Sequence, residues 1–458
     1  MPDSLPVGPY RILKTFDNHE VPWYILPFDE RGICMAPLTR QDCLRQVAAE
    51  KPTDVFVFCH GWNNDWKHAT EERYEKFIHG YEQLRAENNL SFADGYRPLL
   101  IGLFWPSVVL QFPNDRAPQM AGTTTATVSP DEDESVGVER QEIAELAREL
   151  PPDRLGEFYE LTQGGVTWNV VTARALASLL LEGYQGDDDL PAATVHGPTV
   201  DDLVGSWQAT HKDLRAGPRK GPATIVQGTQ SGQPMAAPFL GLPTPREIVR
   251  LFTVWRMKDR AKVVGEKGAG SLLRDLLAAC DARIRLLGHS YGCQVNLAGI
   301  CSAAMDGQRF VESVLLLQPA VSAACFAKQV GNTGEPGRYR KAFNRVRQPI
   351  LSTYSARDHA LFRYYHLAVD RYKDAGERRV AGIIPYFAAL GGYGPKDCST
   401  ESQRQELLLP TKEYALIPSE IRIVGLEGSK LIADHGDICN QATYWALYNQ
   451  VTNRLTAT

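Results

Sequence analysis

The chain reads as an α/β protein with a mostly parallel central sheet and helices on both faces. Continuous apolar runs of strand length recur, among them "DVFVFCHGW" at 54–62 and "PLLIGLFW" at 98–105. Strands covered on both faces lose the polar alternation of half-exposed ones, so these runs point to a buried sheet. Segments of helical spacing separate them, as crossovers between parallel neighbours require. With 458 residues, 43% of them hydrophobic and 22% charged, the chain can form one large core that carries insertions.

The elements follow in order. "VPWYILPFD" is an early strand and 54–62 a buried one; "EERYEKFIHGYEQLRAEN" at 71–88 is a helix, and 98–105 is the next strand. After 245 come a long amphipathic helix near "PREIVRLFTVWRMKDRAKVV" and a shorter one near "SLLRDLLAAC". The strand "RIRLLG" leads to a helix from Tyr291 to about Met305, and three strands follow at 311–318, 349–355 and 420–426. "NQATYWALYNQVTNRL" is the closing helix.

Between 106 and 245 the pattern breaks. "AGTTTATVSPDEDESVG" is polar and low in complexity, which suits a surface loop, and 217–245 is dense in glycine and proline. Between these, "ERQEIAELARELPPDRLGEFYELT" and "VTWNVVTARALASLLLEGY" space their apolar residues as helices do. The chain therefore divides into one part of the core at 1–105, a helical insertion at 106–245 and the rest of the core at 246–458.

The net charge of −5 offers no basic stripe, which excludes nucleic acid as the expected partner. The first residues lack a basic segment followed by an apolar one, and no run of eighteen apolar residues occurs, so neither a secretory signal nor a transmembrane segment is expected. Nine cysteines without any Cys-x-x-Cys pair read as reduced, buried thiols, and with them the expected location is cytoplasmic.

"RIRLLGHSYGCQVNLAGI" at 283–300 carries the chemistry. Ser290 falls at the carboxyl end of a buried strand and the start of a helix, where open α/β sheets hold ligands. A sharp strand-to-helix turn needs small neighbours, and Gly288 and Gly292 supply them. The helix amino terminus favours developing negative charge there.

A hydroxyl needs a base to take its proton and a carboxylate to orient that base. His435 lies in the polar turn of "LIADHGDICNQATYW", and Asp358 lies just past a strand in "STYSARDHALF". The segment after the preceding strand, "PAVSAACFAKQV", holds no carboxylate to rival Asp358. The order Ser, Asp, His is the hydrolase order. Backbone N–H groups of Trp62, after the turn at Gly61, and of Tyr291 are the candidate oxyanion donors.

These residues give the chain a resemblance to the α/β-hydrolase fold family, and within it to serine esterases and lipase-like members with His-Gly after the third strand. The resemblance covers roughly 15–105 and 245–455 and rests on "HGW", "GHSYG", "SARD" and "DHGD". It implies a catalytic triad of Ser290, Asp358 and His435, an oxyanion hole from Trp62 and Tyr291, no cofactor, and a small-molecule or lipid ester as substrate. The 106–245 insertion departs from the common pattern and, by the resemblance, is a cap domain of unusual length.

Other readings compete. His289 is the variable residue of the elbow, and His60 is a structural neighbour of the oxyanion turn. His359 and His366 belong to a loop or helix surface, although His359 is a rival base and Asp434 a rival acid. Asp434 and Asp437 flank His435 without the spacing of metal ligands, so no metal is expected, and "DEDE" and "DDD" lack the calcium-loop pattern. Trp105, Trp168, Trp207 and Trp255 fit core packing better than an acyl pocket. Alternatives to an esterase are a non-catalytic relative that binds ligands or partners, and a lipase-type effector toxin.

Overall fold

The computed structural model describes residues 5–62, 64–107, 147, 150–162, 169–182, 199–215, 245–330, 336–365 and 388–455. Among them, strands β1 (Arg11–Lys14), β2 (Glu20–Pro27), β3 (Asp54–Cys59), β4 (Pro98–Phe104), β5 (Arg283–His289), β6 (Ser313–Leu317), β7 (Ile350–Tyr354), β8 (Ser402–Glu406) and β9 (Ile423–Glu427) form one sheet. Its spatial order is β1-β2-β4-β3-β5-β6-β7-β9-β8. Only the β1–β2 pair is antiparallel.

The alternation of side chains across the sheet explains its two apolar layers. In β3, Val55, Val57 and Cys59 face one cluster and Phe56 and Phe58 the other, and all six residues of the strand are buried. The first cluster takes in helices α1 (Pro37–Glu50), α6 (Pro245–Val263), α7 (Gly270–Ala279) and α8 (Tyr291–Cys301). The second takes in α2 (Lys76–Glu87) and the closing α9 (Gln441–Val451). Between α2 and α6 along the chain lie α3 (Leu155–Thr162), α4 (Val170–Glu182) and α5 (Val200–Arg215). Their residues Phe158, Leu176 and Leu203 join the first cluster.

Most expected elements are present, with adjusted ends. The helix at 71–88 opens as a π-helix over His68–Glu75 before α2 begins, and the one from Tyr291 ends at Cys301. β1, β8 and α1 were not expected. β1 and β8 are edge strands reading "RILK" and "SQRQE", paired through their backbones and largely uncovered. α1 buries only Thr39, Cys43 and Val47, a stripe too narrow to stand out as a helical pattern. The loop expected at 121–137, the segment 217–244, Trp168, His366, "DEDE" and "DDD" lie outside the described residues.

The strand order places the site. The chain leaves β3 toward β4 on one side, and it leaves β5 toward β6 on the other. These adjacent strands form the switch point at whose carboxyl end open α/β sheets bind ligands. Their ends are level, with Cys59 paired to Gly288. Gly61 and Ser290 therefore emerge side by side.

Candidate active site

Ser290 has φ 55° and ψ −124°, a left-handed backbone that a residue with a Cβ seldom adopts. Neighbouring chain holds it there. Its N–H donates to Leu317 O at 3.1 Å, and its carbonyl accepts from Cys293 N at 3.1 Å and Ala320 N at 3.2 Å. Gly292 is required by close approach, since a Cβ there would collide with the Cys59 and His60 carbonyls. Gly61 is required in the same way: its Cβ would stand 2.6 Å from the Cβ of Ser290. The turn after β3 and the turn after β5 thus pack backbone to backbone.

The other two candidates arrive from β7 and β9. Asp358 is fully buried; its Oδ2 stands 2.7 Å from Nδ1 of His435, and its Oδ1 accepts the Leu361 N–H at 3.0 Å. Two further bonds lace these loops together, Ser355 Oγ to Ile432 O at 3.1 Å and Ala356 N to Ser429 Oγ at 2.9 Å. The rivals are elsewhere: His359 and Asp434 are exposed, and Asp434 Oδ1 accepts from Gly436 N. Ser290 is 1% exposed and His435 2%. No hydrogen bond joins them; Ser290 Oγ and His435 Nε2 are both buried without a hydrogen-bond partner among the described residues.

Three side chains grip three consecutive carbonyls of the His435 loop. Gln318, at the end of β6, donates from Nε2 to Asp434 O at 2.6 Å. His289 Nε2 lies 2.9 Å from His435 O and, facing a carbonyl, is the protonated nitrogen. Arg73 Nη1 donates to Gly436 O at 3.2 Å. Burial, with His435 and Arg73 close by, drives the His289 pKa well below the ordinary histidine value. A neutral imidazole suits its single-donor role.

His60 has the structural role expected for it. Its N–H donates to Tyr74 Oη at 3.0 Å, and its Nε2 accepts from Trp105 N at 3.2 Å, which leaves the proton on Nδ1, 2.9 Å from Gly61 O. Burial lowers its pKa to about 4, so the ring stays neutral. Beyond it, the N–H groups of Trp62 and Tyr291 enter no backbone hydrogen bond among the described residues. Trp105, Trp207 and Trp255 are buried in the core cluster, the plainer of their two readings.

Sequence reasoning missed the contacts that Gln318, His289 and Arg73 make with the His435 loop; Arg73 and Gln318 carry no local signal, because their partners lie far along the chain. Among the described residues, no three or more His, Cys, Asp and Glu side chains gather as a metal site, and no helix is long and apolar enough to cross a membrane. Comparison with known proteins finds no matching family model, no similar curated protein and no similar solved structure.

Proposed function

We propose that the chain is a serine hydrolase of the α/β-hydrolase type that cleaves a carboxylic ester, lipid or thioester substrates included, through an acyl-enzyme. The observation that carries this reading is the buried His435–Asp358 bond beside a strained serine at the switch point of the sheet. Ser290 attacks the carbonyl, His435 takes its proton and returns it to the leaving oxygen, and Asp358 holds the imidazole with its proton on Nδ1. The N–H groups of Trp62 and Tyr291 receive the oxyanion, and such donors each contribute roughly 3 kcal/mol to the transition state. The Ser290–His435 hydrogen bond forms as substrate binds, since catalytic bonds often tighten only in the complex.

The family assignment is supported by the placement of nucleophile, acid and base after β5, β7 and β9 of a mostly parallel sheet. In the same reading the 106–245 insertion is a cap. Its helices α3 to α5 support this by sharing one apolar cluster with Trp105 and with Tyr291, one of the two proposed oxyanion donors.

Fluorophosphonate labelling with a chain-length series of p-nitrophenyl esters tests the function. Wild type labels on Ser290 and turns over at least one ester, and Ser290→Ala keeps its fold while losing label and several powers of ten in rate. Labelling that persists in Ser290→Ala contradicts the assignment.

A further inference from the structure

Arg73 is 5% exposed, deep enough that a lone guanidinium carries a heavy desolvation cost. Its hydrogen bonds run to neutral oxygens rather than to a carboxylate. Nε donates to Asn64 Oδ1 at 3.2 Å and Nη1 to Gly436 O at 3.2 Å. Asn64, 1% exposed, turns its own amide the other way, donating from Nδ2 to Gly61 O at 3.0 Å and Trp62 O at 2.9 Å. Asn64 is anchored in turn by its N–H to Ser107 Oγ at 3.2 Å and its carbonyl from Ser107 Oγ at 3.1 Å. Arg73 projects from the π-helix His68–Glu75, a rare conformation that recurs at functional sites.

We infer that Arg73 and Asn64 form one positioning bridge that sets the distance between the oxyanion turn at 61–62 and the loop bearing His435. The inference rests on the hydrolase reading and extends it to residues that touch no substrate. The oxyanion turn and the base loop come from β3 and β9, which are separated by three strands in the sheet, so no ladder fixes their spacing. A planar side chain with donors on two separate nitrogens supplies that spacing, and a lysine, whose three N–H donors radiate from one flexible point, does not reproduce that fork. Misplacement of about 1 Å between base and oxyanion donors is enough to slow the reaction about a hundredfold.

The test measures kcat and KM on a p-nitrophenyl ester for Arg73→Met, Arg73→Lys, Asn64→Ala and the Arg73→Met/Asn64→Ala double variant, with sites counted by fluorophosphonate titration. Each single variant should lose about tenfold to a hundredfold in kcat per titrated site, with KM within about threefold of wild type. The double variant should be about as slow as the slower single, because both substitutions cut the same bridge. A merely structural role lowers the number of titratable sites and leaves kcat per site unchanged. Affinity for a phenylboronic acid, which forms a tetrahedral adduct on the serine, should fall in parallel with kcat. If Arg73→Met does not fold, Asn64→Ala decides. Wild-type kcat per site in Asn64→Ala, or full recovery in Arg73→Lys, overturns the bridge while leaving the hydrolase reading intact. Wild type that neither labels at Ser290 nor cleaves any ester overturns the hydrolase reading, and the bridge with it.

Discussion

Asp358 and His435, 77 residues apart, meet at 2.7 Å in the interior, with the carboxylate on Nδ1 and Nε2 left for other chemistry. Asp358→Asn keeps the shape and the Leu361 contact but inverts the preferred tautomer. The expected outcome is a fall in kcat of about 10⁴-fold with a folded protein. Full activity in the purified variant would remove Asp358 from the reading.

Gly61 is a point of close approach between the turns that follow β3 and β5. In Gly61→Ala the new Cβ meets Ser290 Cβ at 2.6 Å and the His289 carbonyl at 3.1 Å, and neither belongs to a flexible side-chain end. Turnover should fall about a hundredfold, with a loss of about 1–3 kcal/mol in stability. Steady-state kinetics and a urea titration check both, and an unchanged kcat counts against the close-packed oxyanion turn.

His60 makes stability depend on pH in a stated direction. Its folded pKa is about 4 against an ordinary 6.5, because burial disfavours the imidazolium. Between these values the unfolded chain binds the extra proton, so stability is complete above pH 6.5 and is lost as pH falls toward 4. The loss is on the order of 3 kcal/mol for this group. His289, shifted in the same sense, adds to it. Urea midpoints from pH 7.5 to 4.5 measure the slope, and His60→Gln should flatten it; an identical slope in that variant refutes the assignment.

Asp54 anchors the opposite end of the sheet. It is fully buried and pairs with Arg285 at 2.6 Å and Arg283 at 2.7 Å, and Arg285 also donates to Val451 O at the end of α9 at 3.1 Å. Asp54→Ala strands the buried Arg285 charge and should cost about 3–5 kcal/mol. Chemical denaturation reads this directly. A loss under about 1 kcal/mol would show that the pair adds little.

What could be read along the chain was whatever depends on local order. β3, β4 and β5 announced themselves as apolar runs because a strand covered on both faces is apolar along most of its length, the paired Asp54 and Arg285 being exceptions. Ser290 stood out because its turn demands glycine at 288 and 292, a requirement written within five residues. Asp358 and His435 were legible as carboxylate and imidazole placed just after strands. β1 and β8 were not, since edge strands need only backbone partners and leave their side chains unconstrained. Tertiary structure alone decided that β3 and β5 are neighbours, that Asp358 rather than Asp434 faces the imidazole, and that Arg73, Gln318 and His289 hold three successive carbonyls of the His435 loop. The last three are hydrogen bonds between side chains and distant backbone. A carbonyl is present at every residue, so nothing in the sequence marks which one a donor will find until the strands are laid side by side.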